Sequence, residues 1–481
     1  MTGPGLILVA ILAPLLGAFL LPVAGKIAPY IRNLLTLVFI LISFVASALA
    51  LPPAIAGNPL QVYWLLPFGL TFGFLADSLA VFMALTVSMV TAIIVFYSFG
   101  YIYQESKRYE GNQNEYYLMV VLLIGSMMGL VYATNLVLIY LFWQMVAICC
   151  WRLVGFYRGQ EIIRRANKAF LFTVGGALLM LAGFIGIYIE TGSFHLPDMP
   201  GNLVISNWVM LLILGGIFSK SATLPLHSWL PDAAVAPSPV TALVHAAVLV
   251  KMGVYMFARL FLVNFQLAAF WQNAIPVIAA ISLVVAAGAA IVENDIKRIL
   301  AYSTISQLAF ILLGLASGLA IGTAGALLYI LLHAIAAAGL FLCAGIVEHS
   351  THTKDIRQMG GLFRRLPATM VCFLCCAFLV MGLPPFGGFF AKYMLVSGAL
   401  EMGRPWLAII FIGGAFLTIV YLARLILKVF FGELSHPDIR EGTWEMISSV
   451  TVLASLSLLF GVLVNLPLQL VTSIVESLGR W

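Results

Sequence analysis

Charge is what this sequence has least of. Only 9% of its 481 residues are Asp, Glu, Lys or Arg, against roughly a quarter in soluble domains. Such a chain cannot cover a water-soluble globule. Long polar segments are missing too. Apolar runs near twenty residues recur from end to end, so the chain reads as a polytopic helical membrane protein. No loop is long enough for a separate soluble domain, so redox centres or nucleotides would sit on other subunits. Period-two alternation is absent, and lipid admits only helices or closed barrels, so strands are not expected. Cysteine is sparse. Cys149, Cys150, Cys343, Cys372, Cys375 and Cys376 all lie inside apolar runs, without metal-ligand spacing to a nearby histidine. They read as small core residues, and neither a metal nor a cofactor is expected. The first run, Gly5 to Val23, has no basic segment before it and reads as a helix, not a cleaved signal. The net charge of +6 is scattered through short loops, which does not point to nucleic acid.

The expected fold is all-α with about fourteen transmembrane helices. Their limits are near 5–24, 31–53, 75–100, 116–133, 135–156, 166–190, 204–223, 240–262, 269–292, 297–315, 322–347, 367–383, 405–431 and 447–471. Stretches near 227–239 and 386–400 read as second halves of broken helices. Loop charge supports the count. Odd-numbered loops hold Lys26 and Arg32; Lys107 and Arg108; Arg158, Arg164, Arg165 and Lys168; Lys297 and Arg298; Lys354, Arg357, Arg364 and Arg365; Lys428 and Arg440. Even loops and termini hold little beyond Arg404 and Arg480. The odd loops are therefore expected in the cytoplasm of a prokaryotic cell, with the chain in its plasma (inner) membrane and both termini outside.

With the loop charges set aside, Lys220, Lys251, Lys392, His245, His333, Arg152 and Asp77 remain in or beside the spans. A buried lysine costs several kcal/mol unless paired, hydrated or neutral. Arg152, Arg259, Arg424 and Asp77 lie near helix ends and read as snorkelling groups. Lys220, His245, Lys251 and Lys392 fit that reading less well. Two of them flank breaks: KSATLPLHSW carries Lys220 before Pro225, and GLPPFGGFFAK carries Lys392 after Pro384 and Pro385. Paired interruptions of this kind point to inverted repeats around an ion site at mid-membrane, although proline also merely kinks packed membrane helices.

The run KSATLPLHSWLPDAAVAPSPVTALVHAAVLVKMGVY (Lys220–Tyr255) resembles the signature of the antiporter-like subunits. These occur in respiratory complex I, in membrane-bound hydrogenases and formate hydrogenlyases, and in Mrp-type cation/proton antiporters. NLVLIYLFWQMVAICCWRLVGFY, DIKRILAYSTISQLAF, LLHAIAAAGLFL, MGGLFRRLP and LPPFGGFFAK extend the likeness over about residues 70–435. The resemblance implies N-terminal helices 1–3 over 1–115 and a first inverted repeat, helices 4–8, over 116–262. A second repeat, helices 9–13, covers 269–431, and a last helix covers 447–481. It leaves no room for the long lateral helix of the largest such subunits. It implies an ion pathway through Lys220 on the seventh helix, His245 and Lys251 on the eighth, His333 on the eleventh and Lys392 on the twelfth. Lys220 would carry protons, its charge disfavoured by burial.

Two positions depart from the family's pattern. A glutamate that pairs with the seventh-helix lysine in most relatives is here Gln144, and a helix-11 lysine is here Ala337. Three functions stay open: a proton- or sodium-translocating subunit of a redox-driven complex, related to NADH:quinone oxidoreductase or membrane-bound hydrogenase; an Mrp-type cation/proton antiporter subunit; or a structural subunit whose pathway has partly decayed. The implied partners are other membrane subunits, including other antiporter-like ones, with lipids and protons or Na⁺.

Overall fold

A computed structural model describes residues 3–65, 71–106, 112–199 and 203–478. Lys107, Arg108 and Arg480 lie outside the described residues. Twelve helices in them are long and apolar enough to cross a membrane. The remaining two expected spans are in pieces. One is Asn207–Lys220 with the short Trp229–Ala233, and the other is Pro367–Met381 with Gly387–Glu401.

Burial sorts the helices into an inside and an outside. The most apolar 18-residue window of Ala320–Thr351 is wholly buried, whereas that of Pro29–Ile55 is only 33% buried. The central helix can be enclosed because it is rich in small residues, which let neighbours approach closely. A methyl on Gly325 would lie 2.9 Å from Met394 Cβ, and one on Gly339 2.4 Å from Cys376 Sγ. Ser238–Asn264 and Ile296–Ala316 pack against this column and are nearly as buried.

Loops of each parity meet on one face. Among the odd ones, Ile296 N donates to Lys354 O, Ile356 N to Asn294 O, and Gly361 N to Phe431 O. Among the even ones, Thr134 N donates to Gly73 O, Leu136 N to Phe194 O, and Gln266 N to Leu203 O.

Three expectations need correction. Strands do occur: Leu60–Leu65 pairs antiparallel with Thr71–Ala76, from Leu60↔Ala76 to Leu65↔Thr71. The hairpin sits on the even-loop face, so the argument from lipid does not reach it. The second half of the seventh helix is shorter than 227–239: it stops at Ala233, and a new helix starts at Ser238, with Pro237 at its cap and Pro239 in its first turn. The third and eleventh helices run past their apolar stretches, to Glu105 and Thr351, which buries Glu105 and leaves Glu348 partly buried.

At the first break, Ala222 takes a left-handed conformation (φ 49°). Ser282 Oγ takes over a freed backbone group by accepting from Leu224 N, and Ser221 Oγ adds a second bond to Ile217 O, which already accepts from Ser221 N. At the second, a methyl on Gly388 would lie 1.9 Å from Leu379 O. Only glycine lets the second half start so close to the end of the first.

Candidate functional site

Lys220 ends its half-helix fully buried. Its Nζ has no hydrogen-bond partner among the described residues and lies 5.5 Å from the Trp143 ring centre. Trp229 Nε1 closes the break by donating to Ser219 O at 2.9 Å.

The Ser238–Asn264 helix touches this break through backbone. A methyl on Gly253 would lie 2.8 Å from both Ile217 O and Ser221 N. That contact packs the helix that carries Lys251 directly against the Lys220 turn. Wide π-type turns at Leu243–Ala247 and Arg259–Asn264 flank Lys251, a distortion frequent at functional sites.

Lys251 Nζ meets His333 Nδ1 at 2.8 Å, both groups buried. His333 packs against Tyr329, with ring centres 5.9 Å apart. Tyr329 Oη donates to Gln307 Oε1 at 2.6 Å, Gln307 Nε2 to Tyr421 Oη at 3.1 Å, and Tyr421 Oη to Ser303 Oγ at 2.8 Å. Lys392 lies over this line, 4.6 Å from the Phe310 ring centre and 5.7 Å from that of Tyr329. Its Nζ donates to Val380 O at 2.7 Å. Val380 is in the last turn of the preceding half-helix, where carbonyls lack helical partners and the dipole favours a cation.

The structure thus pairs Lys251 with His333, sets Lys392 over the Tyr329 ring that His333 also touches, and leaves Lys220 at its own break under Trp143. His245 stands apart. Its nitrogens lie 2.9 Å from Thr241 O and 2.9 Å from Leu230 O, so it ties the short Trp229–Ala233 helix to the next one. Gln144 is half-buried and donates to Tyr140 Oη at 2.7 Å; Trp143, not Gln144, covers Lys220. Ala337 is buried, one turn beyond His333, and supplies no polar group.

The snorkelling residues divide. Arg152 is exposed and pairs with Glu115 at the odd-loop face, so it does not face the lysines. Arg259 is buried instead, in a fork with Asp77 (Nη2–Oδ1 2.8 Å) and Tyr255. Arg424 donates to Glu293 O and Asn294 Oδ1 at the end of Ala269–Val292.

Sequence reasoning missed Gln307, Tyr329 and Tyr421. Ser303 and Gln307, four apart in AYSTISQLAF, share a helix face, and that spacing is the signal that could have found them. Among the described residues no carboxylate pairs with Lys220, Lys251 or Lys392, and no group of three or more His, Cys, Asp or Glu is placed to hold a metal. The cluster can hold and pass protons through amines, imidazole, amide and hydroxyls, but it offers little to neutralise a second positive charge.

A family profile described as NADH:quinone oxidoreductase/Mrp antiporter, TM matches residues 133–418, more than half of the chain. This chain belongs to that family. The profile of NADH-Ubiquinone oxidoreductase (complex I), chain 5 N-terminus matches residues 64–110 of this NADH:quinone oxidoreductase/Mrp antiporter family member. The Na(+)/H(+) antiporter subunit A1 of Staphylococcus aureus (strain Newman) is 30% identical over 505 residues, 97% of this chain and 62% of the relative. The chain therefore spans less than two thirds of that relative's length. Among solved structures, a chain of the Mrp complex from Dietzia sp. DQ12-45-1b superposes with a TM-score of 0.89 at 20% identity, covering 99% of this chain and 98% of that one. A chain of the membrane-bound sulfane sulfur reductase, an archaeal respiratory membrane complex, gives 0.87 at 23%, covering 98% and 97%. One from respiratory complex I of Thermus thermophilus gives 0.84 at 24%, covering 98% and 100%. These three show the fold.

Proposed function

We propose that this chain is a proton-translocating, antiporter-like subunit of a multisubunit membrane complex. The observation that carries the reading is the buried Lys251–His333 contact, continued through Tyr329 and Gln307 beneath Lys392. Groups of these types exchange protons. A hard cation such as Na⁺ wants several oxygen ligands, and a row headed by lysines repels it. Residues 116–262 and 269–431 form the two inverted repeats, each with one broken helix and one lysine at its break. The basic odd loops face the cytoplasm of a prokaryotic cell, which places both termini on the other side of its plasma membrane. Other antiporter-like subunits and a redox module of NADH:quinone oxidoreductase or hydrogenase type complete the complex.

A second reading makes the chain part of a gradient-driven cation/proton antiporter. It is favoured by the likeness to a Na(+)/H(+) antiporter subunit over 97% of this chain. Reconstituted complex tests both. Lys220→Ala and Lys392→Ala are expected to abolish proton movement while leaving assembly intact, and Lys220→Arg to fail as well because arginine stays charged. Normal pumping by Lys392→Ala overturns the proposal. Proton movement that requires Na⁺ on the opposite side of the vesicle selects the second reading.

A further inference from the structure

On the odd-loop face a cavity of about 840 Å³ opens between the ends of several helices. Two carboxylates in its lining belong to helices that run past their apolar stretches. Glu105 is 5% exposed, accepts from Tyr157 Oη at 2.9 Å and faces His349 Nδ1 at 3.1 Å. Glu348 meets Lys297 Nζ at 2.5 Å and Lys354 Nζ at 3.1 Å.

These two acids are joined by hydroxyls alone. Tyr157 hydrogen-bonds Tyr101 as well as Glu105. Ser238 Oγ lies 3.5 Å from Tyr101 Oη and 3.3 Å from Glu348 Oε2. Lys297, itself buried, also donates to Ala236 O at 3.1 Å, an oxygen that accepts from Thr241 Oγ1 at 3.2 Å. Thr241 is one turn before His245, on the helix that carries Lys251. A polar line thus runs from the cavity to His245, on the helix that carries Lys251.

Ion pairing alone does not account for this arrangement. Lys297 and Lys354 already neutralise Glu348. Glu105 has no lysine or arginine partner among the described residues, only an imidazole at the cavity wall and a phenol behind it. A carboxylate paired with a neutral or protonated imidazole at the edge of water is a proton-exchanging couple.

We infer that Glu105 and His349 load protons from the odd-loop side, and that Tyr157, Tyr101 and Ser238 pass them to Glu348. The inference rests on the proposed proton-translocating function. Each hydroxyl takes a proton on its oxygen and releases its own, so nothing is consumed. When Glu348 receives the proton its negative charge is gone, and Lys297 loses its ion-pair partner at the inner end of the line. The pair is faced by Tyr101 from its own helix and by Tyr157 from the loop after Leu136–Val154. From the eleventh helix and the loop beyond it come Glu348, His352, Lys354, Asp355 and Arg357, and across the cavity lie Glu293 and Asp295. Burial pushes the Asp295 carboxyl up against the pull of Lys354 and Lys297, while burial of Lys354 is outweighed by Glu348 and Asp295, which hold its ammonium up.

The test uses the assembled complex in vesicles, with the pH of the two sides set independently. Glu105→Gln, and separately the Tyr101→Phe/Tyr157→Phe pair, should slow proton movement about a hundredfold, the low end for removing a positioned proton carrier. The dependence on odd-loop-side pH should change, and the dependence on the opposite side should not. Glu105→Asp should keep most of the rate. Wild-type rates in Glu105→Gln and in the tyrosine pair, with Lys251→Met inactive, overturn the loading site and leave the proposed function standing. Wild-type rates in all of them, Lys251→Met included, overturn both. If Glu105→Gln fails to assemble, the tyrosine pair, which keeps both rings in place, decides alone.

Discussion

Replacing Lys251 by methionine keeps an unbranched apolar stem and removes the ammonium. His333 Nδ1, 2.8 Å away and buried, is then left without its partner. An unsatisfied buried polar atom costs about 1–3 kcal/mol, and about 3 kcal/mol corresponds to roughly a hundredfold in an equilibrium. The pair is also self-limiting. Two positive charges 2.8 Å apart repel by about 6 kcal/mol at an effective dielectric near 20, so Lys251 and His333 hold one charge between them. Lys251→Arg makes that charge permanent. Both substitutions should slow proton movement by a factor of about a hundred or more, the scale for losing a positioned proton carrier, the first by removing the carrier and the second by never releasing it. The assay is dye-reported acidification of proteoliposomes holding the assembled complex, with subunit stoichiometry as the control. A double change, Lys251→Met with His333→Phe, should be no slower than Lys251→Met alone, since the two act as a unit. Transport by Lys251→Arg at the wild-type rate, or losses that multiply in the double variant, would refute the shared charge.

Gln144→Glu puts a carboxylate next to Trp143, whose ring covers the unpartnered Lys220 ammonium. It should favour the charged form of Lys220 and move the transport optimum to higher pH; an unchanged profile, read across the pH series, removes Gln144 from the pathway. Asp232 closes the first break from the odd-loop side by pairing with Lys168 and Arg298. The pairing needs a charged carboxylate, so the stabilisation is present above about pH 4 and is lost as pH falls further. Asp232→Asn should cost about 1 kcal/mol at neutral pH, and the gap to wild type in thermal unfolding should close in acid. Gly388→Ala meets Leu379 O at 1.9 Å and should destabilise the second break by about 1–3 kcal/mol; wild-type thermal stability and transport in that variant would contradict the close approach.

Where residues announce themselves by being out of place in lipid, the sequence was readable. Lys220, Lys251 and Lys392 stand out because so few charges surround them, and Pro225 with Pro384 and Pro385 marks the interruptions. What the sequence hid was of two kinds. Tyr329 and Gln307 are too mildly polar to break an apolar run, and only the packing of Ile296–Ala316 against Ala320–Thr351 joins them. Lys297 and Glu348 look like ordinary loop charges, because a hydropathy window ends where the charge begins even though the helix continues. Arg259 and Asp77 were mistaken for snorkelling groups for the related reason that nearness to a helix end does not distinguish water from a buried partner 182 residues away. The hairpin was missed because an argument about lipid was applied to a segment on the loop face.

The helix Ala320–Thr351, whose apolar window is wholly enclosed, bears on how the protein is made. In the finished fold its apolar window meets protein, not lipid. Its mean hydropathy of 2.4 nevertheless equals or exceeds that of several helices at the rim. That apolarity serves the nascent chain, which must partition into the bilayer before its neighbours have closed around it. Small side chains serve the later step, when the same segment leaves lipid for a tight protein niche. Substitutions here should therefore separate two defects that coincide elsewhere: a polar residue impairs insertion, while a bulky apolar one inserts normally and then fails to dock.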